Sequence, residues 1–322
     1  MLRDQLVLSK NILKGLLTHI PGLYGMLRPP TGGTNSALYC YAVWMRHLLL
    51  GYEKSGMSIP KVVAEIGPGD SLGTSIAALL SGTEKVYALD VVRYSATKLN
   101  LDLFDELVAL FQKRTSIPTQ QYFPNLKPKL DDYSFPDRLF PENYLKKCLD
   151  PDRLAPIRHS IECSSQGNSM ITYHVPWNEI SRIKQESVDF IFSQAVLEHA
   201  EDLPATYQAI SKWLKPNGIM SHQIDFKSHG ITEEWNGHWK YSQFIWKIIK
   251  GNRPYLINRH PCSSHLLAIK KTGFDILGTI GEKNVSKFKP SDFPLPFNNI
   301  SEEDIVTSGL YVIARKPPVR SK

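Results

Sequence analysis

Residues 61–90 read KVVAEIGPGDSLGTSIAALLSGTEKVYALD. Val62, Val63, Ala64 and Ile66 make a short apolar run of the kind a buried parallel strand needs. A glycine turn follows (Gly67-Pro68-Gly69), then a helix over 71–80 closed by Gly82, then a second strand ending on an acid, Asp90. Strand, glycine turn, helix and strand make half of a nucleoside-binding βαβ unit, and the details select its ligand. In a dinucleotide fingerprint a third glycine stands three residues after the second and packs helix on strand beside a pyrophosphate. Leu72 holds that position here, and Glu65 precedes the turn. A carboxylate there disfavours a pyrophosphate and suits a cation. Asp90, roughly 20 residues past the turn, is placed to accept from both ribose hydroxyls. The stretch calls for a ligand with a ribose and a positive charge but no phosphate.

Glu65-Ile66-Gly67-Pro68-Gly69-Asp70-Ser71-Leu72-Gly73 resembles the first motif of class I S-adenosylmethionine (SAM)-dependent methyltransferases. Residues 188–193 with Val196-Leu197-Glu198-His199 resemble that family's fourth strand and following loop, and Leu214-Lys215-Pro216-Asn217-Gly218 the turn into its fifth. The resemblance implies a doubly wound, seven-stranded, mostly parallel sheet with a helical N-terminal segment and an inserted cap. It also implies SAM as cofactor, with Glu65 near the methionine ammonium and Asp90, with Val91, on the ribose. Pro176 and Trp177 stand where the family holds adenine, without the acid often found there, and Ser193 and Gln194 close the pocket. Gly67, Pro68 and Gly69 let the backbone approach the ligand, and Asp70 and Ser71 open the helix, where free N–H groups suit a carboxylate.

The rest of the chain organises around this unit. Residues 1–60 read as a helical segment with a proline-glycine loop at 28–33 and an aromatic helix at 38–50. The resemblance implies that this helix is a cofactor lid, for which ordinary packing of each aromatic is the alternative. Residues 61–322 read as the SAM-binding Rossmann-like domain. Helices are expected at 95–113, 203–214 and 263–271, and strands at 169–175, 188–193, 219–226, 274–279 and 310–314. By the resemblance, the last two strands form an antiparallel hairpin. Seven prolines break the pattern between 117 and 156, and aromatics and histidines crowd the stretch after the fifth strand. Insertions 115–168 and 227–260 are read as a substrate cap, since long interruptions in a compact domain are usually functional.

Methyl transfer from a sulfonium is an in-line displacement whose leaving group departs neutral. Positioning carries most of the catalysis, and a base is added when the acceptor is a hydroxyl. Ligands of open α/β sheets bind beyond the carboxyl ends of the strands. His199, after the fourth strand, and Asp225 and His229, at the end of the fifth, are therefore the catalytic candidates; the alternative is that Glu198-His199 only cap the next helix. No metal site is assigned: Ala195 replaces an acid that quinone-directed family members carry, and the spacing of His222, Asp225 and His229 does not force convergence. Trp235, His238 and Trp239, with Asn258 and Arg259, combine aromatic faces with polar groups and are expected to bind substrate. A loop anchored by its tryptophans is the competing reading.

Composition narrows the partners. The net charge is +7, but the basic residues are scattered, so there is no clear nucleic-acid signature. No apolar run reaches the length of a transmembrane segment. Asp4, Lys10 and Lys14 interrupt the N-terminal stretch, unlike a signal-peptide core. Its helical spacing favours packing on the domain, or on a second subunit in a homodimer, over lying on a membrane. The four cysteines show no metal spacing and read as reduced thiols of a cytoplasmic protein. The expected function is methylation of a small-molecule or glycan acceptor at oxygen. Ser193-Gln194-Ala195-Val196 stands where amino-group methylases of the family carry Asn/Asp-Pro-Pro-aromatic. The alternatives are a non-catalytic SAM-fold partner or scaffold, or a methyltransferase acting on nitrogen or on a macromolecule.

Overall fold

The computed structural model describes residues 2–20, 33–92, 96–163, 169–177, 179–253 and 255–318. Strands β1 (Val62–Ile66), β2 (Lys85–Leu89), β3 (Ile171–His174), β4 (Val188–Gln194), β5 (Leu214–Asp225), β6 (Asp275–Lys283) and β7 (Thr307–Arg315) form one sheet in the order β3-β2-β1-β4-β5-β7-β6. The first five are parallel, and β7 runs antiparallel to both β5 and β6. This is the expected doubly wound sheet with its terminal hairpin.

The helices are α1 (Leu2–Leu17), α2 (Ala37–Ser55), α3 (Gly73–Leu80), α4 (Thr97–Gln112), α5 (Glu142–Cys148), α6 (Pro151–Glu162), α7 (Leu203–Trp213), α8 (Gln243–Lys250), α9 (Cys262–Lys271) and α10 (Glu302–Val306). Because side chains alternate across a strand, the sheet feeds two cores. Val63, Phe190 and Phe192 meet Trp44 of α2, Ile76 of α3 and Phe111 of α4 on one face. Ala64, Ile191 and Met220 meet Tyr207 and Trp213 of α7 and Ile269 of α9 on the other.

One boundary moves. The helix expected over 203–214 stops at Trp213, and β5 starts at once because Leu214 already pairs with Val188. Pro216-Asn217-Gly218 does not separate helix from strand; it lies within β5, where Asn217 takes φ 65° and its N–H donates to the Lys316 carbonyl at 2.9 Å. The loop expected at 28–33, apart from Gly33, lies outside the described residues, as do Ser95 at the start of the expected helix and 164–168 of the first insertion.

The first insertion divides its contacts. Leu145 of α5 and Ile157 of α6 join the core beside α3 and α4. Its 118–128 stretch is held by Arg46 of α2, whose guanidinium donates to the carbonyls of Pro118 at 2.7 Å and Pro128 at 3.1 Å. The second insertion carries α8, and α1 lies against it.

Candidate active site

Strand pairing puts His174, Leu89, Ile66, Ser193 and His222 in one row across the carboxyl ends of the parallel strands. Glu65 and Asp90 flank that row, both buried. Glu65 accepts a hydrogen bond from Ser75 Oγ at 2.5 Å. Burial pushes its carboxyl up to about 7, against the pull of Ser75 and Thr74 and with a push from Asp90. Asp90 accepts from the Val91 N–H at 2.7 Å. Among the described residues no lysine or arginine ion-pairs with Glu65. A buried acid at each of two adjoining strand ends, beside a turn that requires glycine, fits a ribose and a cationic amino group.

Gly67 and Gly69 take φ of 73° and 74°, where a Cβ is strained. A Cβ on Gly67 would also stand 2.4 Å from the Val196 side chain. The close neighbour of this glycine is thus the loop after β4. The expected free N–H groups at the start of α3 are a correction. The Asp70 N–H donates to Thr34 Oγ1 at 2.9 Å, Leu72 to Asn100 Oδ1 at 2.8 Å and Gly73 to Ser71 Oγ at 3.0 Å, while Ser71 Oγ donates to the Thr34 carbonyl. Pro68 is buried, Pro176 and Val91 are exposed, and Trp177 sits edge-on to Trp213 of α7 at 6.3 Å. Ser193 Oγ lies 2.8 Å from His222 Nδ1, and Gln194 bonds to His47, Lys127 and Gln223.

A second group of polar residues gathers beyond β4 and β5. Glu198, in a short 3-10 turn, is 2% exposed, and neither carboxylate oxygen has a hydrogen-bond partner. Burial pushes its carboxyl up to about 8, with the His229 cation pulling it down and Asp225 adding to the rise. Asp225 accepts from the Lys227 N–H at 2.9 Å and faces His229 Nε2 at 3.6 Å. Burial would raise Asp225, but His229 and Lys227 outweigh it and hold the carboxyl below its usual range. Burial would likewise lower His229, but Asp225 and Glu198 outweigh it and raise the imidazole above its usual value. His199 sits edge-on to His229 at 5.5 Å between centroids, and burial with that cation holds it down to about 4.

Asn258 clamps this loop. Its side chain donates to the carbonyls of Leu197 at 2.9 Å and Ala200 at 2.7 Å, and its N–H donates to that of Glu198 at 2.6 Å. Glu198, Asp225, Lys227, His238, Asn258 and Arg259 border a small cavity with room for about one water molecule. His222 faces Ser193 and Tyr207 instead and does not converge with Asp225 and His229. Among the described residues no three His, Cys, Asp or Glu side chains are gathered to hold a metal ion.

The family model described as a methyltransferase domain matches residues 47–274, most of the chain. The chain belongs to the methyltransferase-domain family. Among curated proteins no sequence matches. Solved structures give likenesses of fold. Phosphoethanolamine N-methyltransferase 2 from Haemonchus contortus, in complex with SAM, is 14% identical at a TM-score of 0.41, covering 88% of this chain and 57% of its own. A SAM-dependent methyltransferase from Mesorhizobium loti is 13% identical at 0.40, covering 88% of this chain and 100% of its own. One from Methanosarcina mazei is 12% identical at 0.39, covering 81% and 95%. The chain thus spans little more than half the length of the Haemonchus enzyme.

Of the substrate residues expected in this methyltransferase, Trp239 is fully buried; its indole N–H donates to the Arg259 carbonyl at 2.9 Å and its ring packs on Phe293 and Phe297. Arg259 is no free fork. Its guanidinium donates to the Tyr241 carbonyl at 2.7 Å and Gln243 Oε1 at 2.8 Å and lies over Trp246 and Phe297; burial lowers it to about 10. Trp235 is half-buried and donates to the Val285 carbonyl. His238 is buried at the cavity wall, and burial pushes it down to about 3. Sequence reasoning placed Glu198 beside the site by its position after the fourth strand but did not assign it a role. It missed Thr34 and Asn100, for which no local signal exists.

Proposed function

We propose that this methyltransferase acts on a hydroxyl of a small-molecule or glycan acceptor that enters beside Glu198, Asp225 and His229. The observation that carries the reading is the Asp225–His229 pair, an acid below its usual range facing an imidazole above its own. It stands beyond the carboxyl ends of the strands, where ligands of such sheets bind. Bound SAM supplies a methyl group on a sulfonium that leaves as a neutral thioether. His229 takes the hydroxyl proton as the acceptor oxygen forms its bond to the methyl carbon. Asp225 orients the imidazole and stabilises its cation. His199, neutral at pH 7, offers its unpartnered Nδ1 to the acceptor. For the cofactor, Glu65 takes the amino group and Asp90 and Val91 the ribose, with Gly67, Pro68 and Gly69 against the ligand. Pro176 and Trp177 border the adenine, and Ser193 and Gln194 form the floor. The Asp70 N–H, which Thr34 Oγ1 accepts in the segment read as a lid, and Ser71 would lie toward the cofactor's carboxylate.

Two measurements test this. Calorimetry with Asp90→Ala should show SAM affinity weakened at least several-fold; unchanged affinity refutes the cofactor assignment. Labelled-methyl transfer to a panel of hydroxylated small molecules and glycans should fall about 10²–10⁴-fold in His229→Ala, with SAM affinity kept. The wild-type rate should rise with pH through a value above 6.5, because His229 must be neutral to accept the proton. Full activity in His229→Ala removes the base.

A further inference from the structure

Helix α1 carries apolar residues on two opposite sides. Its inward side combines Leu8 and Ile12 with small and polar residues. Asn11 donates to the Ile231 carbonyl at 3.2 Å, and a Cβ on Gly15 would stand 2.0 Å from the Ile248 carbonyl oxygen. Just beyond the helix, Thr18 Oγ1 accepts the Asn252 N–H at 2.8 Å. Leu8 and Ile12 touch the cluster around Trp246 and Ile249. The helix is therefore fixed to the second insertion, and Leu6, Leu13 and Leu16 point elsewhere. Leu6, Leu13 and Leu16 are 64%, 56% and 53% exposed. At about 100° per residue they fall within a sector of roughly 80°. Arg3, Lys10 and Lys14 line one border of that stripe, all exposed, and none forms an ion pair among the described residues. Among the described residues no helix is long and apolar enough to cross a membrane.

We propose that α1 docks flat on an anionic lipid surface, with Leu6, Leu13 and Leu16 in the acyl boundary and Arg3, Lys10 and Lys14 among the headgroups. The charge pattern chooses this occupant over a second copy of the chain. An antiparallel two-fold pairing through the stripe would set the two basic borders side by side, where they repel. A negative headgroup layer neutralises them, and the stripe has the width and flanking charge of an interfacial helix. This reverses the preference of the sequence pattern for a packed helix. The packing is real, but it uses the opposite side. Ile257 belongs both to the apolar cluster beneath α1 and to the cavity wall, so docking holds that wall close to the lipid surface.

The test is co-sedimentation of the full chain with phosphatidylcholine vesicles, with and without phosphatidylserine. Binding to the anionic vesicles that weakens with salt is expected, with little to the neutral ones. Each of Arg3→Gln, Lys10→Gln and Lys14→Gln should weaken it about fivefold. Leu13→Gln with Leu16→Gln should abolish it while leaving melting temperature and SAM affinity unchanged, since these side chains are exposed. Absent binding, equal binding to neutral vesicles, or equal binding by the variants overturns the proposal. So does a dimer in light scattering that the leucine variant dissolves without any vesicle binding.

Discussion

Replacing Glu198 with glutamine should stabilise the protein at high pH and do almost nothing below about pH 4. The carboxyl is buried with neither oxygen hydrogen-bonded, and it is pushed from 4.5 up to about 8. Below pH 4.5 both folded and unfolded chains hold the proton, and Gln mimics the protonated acid. As pH rises, the unfolded chain releases the proton while the folded one keeps it, so stability falls until about pH 8, where the folded group also ionises. At 1.36 kcal/mol per pH unit, that interval sets an upper bound of about 5 kcal/mol. Relaxation and water entry at the adjoining cavity reduce it, leaving about 2–3 kcal/mol at pH 9. Urea denaturation followed by fluorescence of the six tryptophans, for both proteins between pH 5 and 9, gives the difference directly. Titrating groups distant from Glu198 are common to both chains and cancel, while the loss of the Glu198 charge also lowers His229, which enters the difference too. A difference that stays flat over that range would refute the buried, proton-holding Glu198.

Gly67→Ala should cost about 2–4 kcal/mol, from the left-handed backbone and from contact with Val196. Adding Val196→Ala should return part of that loss in thermal denaturation, while SAM affinity by calorimetry stays at least several-fold weaker. Asn258→Ala removes bonds to Leu197, Ala200 and the His260 N–H and should cost about 2–3 kcal/mol. Hydrogen exchange across 197–200 should quicken with it; unchanged exchange would show that the loop holds its shape unaided.

The sheet was legible because its signals are local. A strand of apolar residues, a turn that only glycine permits and a helix stripe each follow from neighbours a few positions apart. Asp225 and His229 were legible by position, since topology alone puts strand ends at the site. The misread parts depend on distant partners. Trp239 and Arg259 have the composition of a binding surface, yet the indole is satisfied by a carbonyl 20 residues away and the guanidinium by Tyr241 and Gln243. The helix-opening N–H groups seemed free because Thr34 and Asn100 lie 36 and 28 residues from the groups they cap. Pro216-Asn217-Gly218 reads as a turn by composition, and only pairing with the far C-terminal strand shows that β5 runs through it.

The Asn258 clamp has an evolutionary consequence. Because this one amide ties the returning leg of the second insertion to the loop after β4, the outer stretch between them can be lengthened, shortened or redecorated without disturbing the carboxylates and imidazoles beneath. The perimeter can then diversify while the buried acids and imidazoles are inherited intact.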